Sequence, residues 1–111
     1  VLGMTIDVHA RRPRLGNRTG GLSGPAVKPL AVRMVYQVAG VVDLPLIGIG
    51  GITTVDDALE FIMAGASCVQ VGTATFAQPL TMLTLIDGLS AWMEREGVRS
   101  LTEIVGAALA K

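Results

Sequence analysis

The chain has 111 residues, is 50% hydrophobic, and carries nine basic and nine acidic residues for a formal net charge of zero. That balance removes the electrostatic footprint of a nucleic-acid binder. A single cysteine excludes a disulfide framework and fits a reducing, cytoplasmic setting, and no apolar run approaches the roughly 20 residues of a membrane-spanning helix.

Met4-Thr5-Ile6-Asp7-Val8 alternates apolar and polar, the period of a half-exposed strand. Ala10-Arg11-Arg12-Pro13 suits a turn and Arg14-Leu15-Gly16-Asn17 a return, so a hairpin is expected over about residues 4–16. Arg11, Arg12, Arg14 and Arg18 form the basic cluster of the sequence and read as a solvated hairpin tip. His9, the only histidine, has no carboxylate or second ligand at a telling spacing and is assigned no catalytic role. Gly20 to Pro25 reads as a glycine-rich turn, and a helix follows from about Ala26 to Val41. Pro29 is tolerated in its first turn, and Leu30, Met34, Val35 and Val38 recur at the spacing of a sheet-facing stripe. Leu46 to Ile49 is a strand. Thr53 or Thr54 caps a helix from Val55 to Met63, and Thr54 with Asp57 three residues on resembles a capping box with Asp in place of the usual Glu; Ala58, Leu59, Ile62 and Met63 form its buried stripe and Gly65 its C-cap. Cys68 to Val71 is the second strand. A long helix is expected from about Pro79 to Glu96, with an apolar face of Leu80, Leu83, Leu85, Ile86, Leu89, Trp92 and Met93 and a stop at Gly97. Ser100 and Glu103 form a capping box for a last helix, Leu101 to Leu109.

Short apolar strands, each running into glycine and then helix, are the pattern of a parallel α/β sheet. Gly50-Gly51 alone could be a tight turn, and so could Gly72-Thr73. Together they close two successive βα units at the same end of the sheet, where backbone N–H groups can approach an anion that a Cβ would keep away. Thr73 adds a hydroxyl, and a helix N-terminus behind it would add favourable potential. In (β/α)8 barrels a phosphate cradle is commonly built by the loops after the last two strands. A full barrel takes about 250 residues, so the expected fold is the C-terminal part of a TIM barrel, about two to three βα units. One domain then spans 1–111, and Val1 reads as loop interior. A parallel pair with both edges open is not a stable unit by itself. The glycine spacing differs from a dinucleotide fingerprint, and no Walker A sequence is present. Cys68 reads as a buried structural thiol. Asp56, Asp57 and Glu60 read as surface acids complementing a helix dipole. Lys28 could reach a phosphate or be solvated, and the solvated reading is preferred. No acid, base, nucleophile or metal-ligand set is assigned.

Three ordered runs, Thr19 to Pro29, Ile47 to Ile52 and Gly65 to Thr73, resemble the C-terminal part of the dihydroorotate dehydrogenase catalytic subunits, over essentially the whole chain. The resemblance implies an FMN-dependent barrel oxidising dihydroorotate to orotate in pyrimidine biosynthesis. It places flavin contacts on Gly24, Gly50, Gly51, Gly72 and Thr73; Gly24 comes from the resemblance alone. The Gly24-Pro25-Ala26-Val27-Lys28-Pro29 continuation is similar to the class 1 enzymes, particularly the NAD-linked 1B type. That type implies a homodimer served by a separate iron–sulfur and FAD subunit, with NAD as final acceptor and no membrane or nucleic-acid partner. The family's catalytic cysteine, flavin-contacting lysine and substrate-binding asparagines fall upstream of Val1, so no catalytic residue is expected here. Cys68 does not match the catalytic cysteine's motif. The alternatives are a related flavin barrel, such as the pyrimidine-reducing domain of dihydropyrimidine dehydrogenase, and a non-catalytic phosphate-binding barrel fragment. Gly72-Thr73 argues against the former.

Overall fold

The computed structural model describes residues 1–109; Ala110 and Lys111, the end of the expected 1–111 domain, lie outside the described residues. The first 21 residues form a two-part antiparallel hairpin. β1 (Leu2–Met4) pairs with β4 (Thr19–Gly21), and β2 (Ile6–Asp7) pairs with β3 (Arg12–Pro13). The hairpin is therefore wider than 4–16, and Gly20-Gly21 belongs to a strand, not a turn. It also reverses earlier than expected. Asp7 Oδ1 accepts the N–H groups of His9 and Ala10 at 3.0 and 2.9 Å, and Arg11 adopts φ 55°. This side-chain-closed turn brings Arg12-Pro13 back onto Asp7 and Ile6.

A 3-10 turn at Pro25–Val27 runs into α1 (Lys28–Ala39), followed by β5 (Ile47–Ile49), α2 (Val55–Ala64), β6 (Cys68–Gln70), α3 (Ala74–Ala77) and α4 (Thr81–Glu96). β5 and β6 pair in parallel, Ile47 opposite Cys68, Gly48 opposite Val69 and Ile49 opposite Gln70. The Thr54–Asp57 capping box is formed in both directions: Thr54 Oγ1 accepts from Asp57 N at 3.2 Å, and Asp57 Oδ2 accepts from Thr54 N at 3.0 Å. Gly65 and Gly97 end α2 and α4 with φ 126° and 67°.

Two helix expectations are corrected. The long helix begins at Thr81, because Gln78 before Pro79 is extended (φ −135°, ψ 94°), as the proline ring demands of its predecessor. Residues 74–77 form a separate single turn. The expected helix from Leu101 to Leu109 reduces to a 3-10 turn at Leu101–Glu103. Beyond it, Gly106 N and Ala108 N donate to Ile62 O and Met63 O, both at 2.9 Å. The segment satisfies the last carbonyls of α2 instead of forming its own helical ladder.

The core is Ile52, Ala58, Phe61, Ala66 and Leu85, with Ala31, Val32, Val35, Val55, Val69 and Val71 packed around it. Phe61, absent from the expected stripe, is its largest fully buried side chain, whereas Met63 is half-buried. A Cβ on Gly48 would lie 2.6 Å from Phe61 Cδ1, so the glycine lets α2 seat on β5. On α1 only Val35 of the expected stripe packs on the core; Leu30, Met34 and Val38 are exposed, as are Leu80, Leu83 and Ile86 of the stripe predicted for the long helix. These faces are broader than the neighbours available to cover them.

The far side of the sheet is bare. Ile47 and Ile49 are 56% and 54% exposed, and Cys68 and Gln70, which share their face by register, are exposed too. The extents are 57 × 34 × 17 Å and the radius of gyration is 16.7 Å, against about 13 Å for a compact chain of this length. The accessible surface is 7745 Å², where a folded monomer of this mass exposes about 5,800 Å². The molecule is a thin wall, two strands backed by helices on one side.

Candidate functional site

The parallel pairing of β5 and β6 brings the loops that follow them to one end of the sheet. After β5 the chain turns at Gly50 and Gly51, both at positive φ (130° and 73°). After β6, Val71-Gly72-Thr73 leads into α3. The Ser23-Gly24-Pro25 turn, with Gly24 at φ 89°, closes the third side. These three loops enclose a cavity of about 450 Å³, and all five predicted residues, Gly24, Gly50, Gly51, Gly72 and Thr73, line it.

The glycines are there for different reasons. A Cβ on Gly51 would lie 2.7 Å from Gly24 O and 3.0 Å from Lys28 N, so the two loops can meet only because that side chain is missing. Gly72 has nothing within 4 Å of its Cβ position. Packing does not require a glycine there, and its missing side chain leaves open room beside the cavity it lines. Among the described residues, the amide groups of Gly51, Gly72 and Thr73 donate to no backbone carbonyl, and the Thr73 hydroxyl makes no capping bond. Three donors and a hydroxyl with nothing of their own to bind suit an anion's oxygens. The helix expected behind Thr73 is the four-residue α3, too short for its dipole to matter beside the amides themselves.

Sequence reasoning missed Ser23, Thr53 and Gln70, which add polar groups to the lining, and Leu22, Met34 and Ile49, which make it largely apolar. Gln70 was findable. It is a polar side chain in the strand that runs into Gly72-Thr73, two residues before that glycine.

Three expectations about charge and burial change. Lys28 is not simply solvated: its Nζ lies 2.6 Å from Asp57 Oδ1 and 2.5 Å from Glu60 Oε2. Asp57 is not a surface acid: it is 9% exposed, and its Oδ2 accepts from Thr53 N at 3.0 Å, Thr53 Oγ1 at 2.9 Å and Thr54 N at 3.0 Å. Burial alone would raise its pKa. The Lys28 ammonium and the Thr53 and Thr54 donors outweigh burial and hold the carboxyl well below the usual carboxylate range. Hydrogen bonds to Asp57 and Glu60 in turn raise the Lys28 pKa. Cys68 is an exposed free thiol, not a buried one, because its face of the sheet is uncovered. The four hairpin arginines are exposed, and three of them, Arg12, Arg14 and Arg18, line a shallow basin with Asp7. His9 is exposed on the same hairpin. Among the described residues, no helix is long and apolar enough to cross a membrane.

A parallel strand pair backed by helices on one side, with its strand-end loops bordering one cavity, is a unit of a parallel α/β protein. The family model described as dihydroorotate dehydrogenase matches residues 1–93. The dihydroorotate dehydrogenase B (NAD(+)) catalytic subunit of Pelobacter propionicus is 57% identical over 105 residues, covering 95% of this chain and 34% of the relative. The subunit of the same name from Alkaliphilus metalliredigens is 55% identical over 107 residues, covering 96% and 35%. A Solibacter usitatus protein provisionally named dihydroorotate dehydrogenase A (fumarate) is 54% identical over 106 residues, covering 96% and 35%. Among solved structures, dihydroorotate dehydrogenase from Eimeria tenella in complex with ferulenol matches with a TM-score of 0.75 at 28% identity, covering 96% of this chain and 29% of that one. The chain belongs to the dihydroorotate dehydrogenase family, a family of flavin-dependent oxidoreductases, and its fold is a fragment of that TIM barrel. It spans about a third of the length of the curated relatives it matches.

Proposed function

We propose that this chain supplies the flavin-phosphate end of a dihydroorotate dehydrogenase. In this reading it forms the last two to three βα units of the (β/α)8 barrel, and the complete barrel oxidises dihydroorotate to orotate in pyrimidine biosynthesis. The observation that carries the reading is the convergence of Gly24, Gly50-Gly51 and Gly72-Thr73 on one cavity in a chain of this family. The residues fit FMN: amides without partners, an uncommitted Thr73 hydroxyl, open room at Gly72 and an apolar lining. FMN held there would supply the two-electron acceptor for oxidation of dihydroorotate to orotate. The chain's own part is to bind and orient. Gly51, Gly72 and Thr73 hold the phosphate through backbone dipoles, Thr73 adds its hydroxyl, and the Gly24 turn with Leu22 and Met34 walls the remainder.

The B (NAD(+)) catalytic-subunit names of the Pelobacter and Alkaliphilus relatives support a class 1B enzyme with a separate electron-transfer subunit and NAD as final acceptor; the class 1B resemblance adds an iron–sulfur cluster and FAD on that subunit, a homodimer and a cytoplasmic setting. One cysteine in this chain cannot provide the four thiolates such a cluster usually takes. The Solibacter relative keeps a fumarate-linked reading open. Rapid fumarate-dependent turnover without any partner subunit would select it.

The site assignment is tested on a complete barrel assembled by joining this segment to the remaining two thirds of the Pelobacter relative. The assembled barrel is expected to hold one FMN per chain. Gly72→Val, whose Cβ meets no heavy atom within 4 Å, is expected to abolish FMN retention while leaving the circular dichroism spectrum and Tm of the apoprotein unchanged. Stoichiometric FMN in that variant would place the phosphate elsewhere.

A further inference from the structure

A single carboxylate ties three pieces of the chain together at the back of the cavity. Asp57, in the first turn of α2, holds the Thr53-Thr54 end of the loop after β5 through three donors and takes Lys28 Nζ on its other oxygen. Lys28 opens α1, 29 positions away in sequence. The capping box accounts only for the bond from Thr54 N; the two Thr53 bonds and the ion pair go beyond what ending a helix requires. The backbone at Lys28 is also where the loop after β5 touches the loop before α1: the Cβ position of Gly51 is 3.0 Å from Lys28 N and 2.7 Å from Gly24 O. The ion pair therefore spans the seam between two of the three loops that form the cradle. Glu60, half-exposed, braces the ammonium from the second turn of α2. Lys28 itself does not line the cavity, and its ammonium already has two carboxylate partners.

We propose that the Lys28–Asp57 pair, braced by Glu60, is a positioning device that sets the spacing of the Gly24 and Gly50-Gly51 loops, so that the cradle holds the FMN phosphate with backbone amides and without a direct lysine contact. This rests on the flavin reading above. A lysine at a helix start beside a phosphate site would ordinarily be assigned to the phosphate, and the two roles respond differently to substitution. If Lys28 touched the phosphate, its loss could not be repaired at Asp57. If it positions the loops by neutralising Asp57, Lys28→Met leaves a partly buried carboxylate without its cation and shifts the loop, whereas removing both charges relieves that strain.

The experiment measures FMN affinity of the assembled barrel's apoprotein by quenching of flavin fluorescence, together with apoprotein Tm, for Lys28→Met, Asp57→Asn and the double variant. Lys28→Met is expected to weaken FMN binding about tenfold or more, and the double variant to recover to within about threefold of the parent. A double variant as weak as Lys28→Met would show direct contact and overturn the proposal. Unchanged affinity in a Lys28→Met protein with lowered Tm would show a purely structural pair and also overturn it. Should Lys28→Met not fold, Lys28→Gln takes its place: a loss of about tenfold that Asp57→Asn repairs supports positioning, and unchanged affinity or a loss that Asp57→Asn does not repair contradicts it. If the unvaried barrel binds no FMN, the functional reading fails first and this proposal falls with it, before any variant is compared.

Discussion

At the scale of single residues, Gly51 and Gly72 carry different information although both follow a strand. Gly51 is filled by its own protein: Gly51→Ala forces a methyl against Gly24 O and the start of α1 and, at φ 73°, is expected to destabilise the assembled barrel by about 1–3 kcal/mol, so flavin loss there says nothing specific about the ligand. A Gly51→Ala barrel with parental Tm would contradict the loop contact. The run of glycines was legible in the sequence; which of them faces a ligand was not, because that depends on what the neighbouring loop places within 4 Å. The Lys28–Asp57 pair was illegible for a similar reason. Each residue sits at a helix start, where a local reading is already complete, and only the fold shows that the two starts meet. The pair also fixes a pH dependence. Asp57 has a depressed folded pKa, so its stabilisation is full above the unfolded carboxylate value of about 4 and is lost as pH falls towards the folded value. Lys28 has a raised pKa, so its share is full below about 10 and is lost only as pH rises through the folded value. The Tm difference between parent and Asp57→Asn barrels is expected to be constant from about pH 5 to 9 and to shrink below about pH 4. A difference that persists undiminished at pH 3 would show that Asp57 is not held ionised by the clamp.

At the scale of elements, the sequence read best where the determinants are local. The capping box and the αL glycine stop place α2 and the end of α4 within a residue. It read worst where one element borrows from another. Residues after Glu103 spend their N–H groups on α2, and no local signal announces this. The apolar stripes of α1 and of the helix after Pro79 are real in sequence, but only part of each is covered here. Phe61 was overlooked because the buried face of α2 is wider than the four positions counted; its place is fixed by Gly48 across the interface. Gly48→Ala is expected to cost about 1–3 kcal/mol in denaturant unfolding of the assembled barrel, since a methyl at 2.6 Å must displace the Phe61 ring. Combining it with Phe61→Leu should recover part of that loss, and strict additivity of the two substitutions would contradict direct packing between them.

For the whole molecule, the decisive quantity is surface left uncovered. The chain exposes about 1,900 Å² more than a compact monomer of its mass would, and the excess includes the Ile47, Ile49, Cys68 and Gln70 face of the sheet. In a barrel that face points inward and is filled by side chains from the other strands, which explains why residues spaced like core are bare. The isolated 111-residue chain is accordingly expected to self-associate in sedimentation velocity and to unfold without a sharp monomeric transition; a cooperative monomer would contradict the wall-segment reading. Under anaerobic conditions, one equivalent of dihydroorotate per chain is predicted to bleach the flavin absorbance of the assembled barrel fully, with one equivalent of orotate formed. Bound FMN that stays oxidised in excess dihydroorotate would contradict the claim that this segment completes a dihydroorotate dehydrogenase.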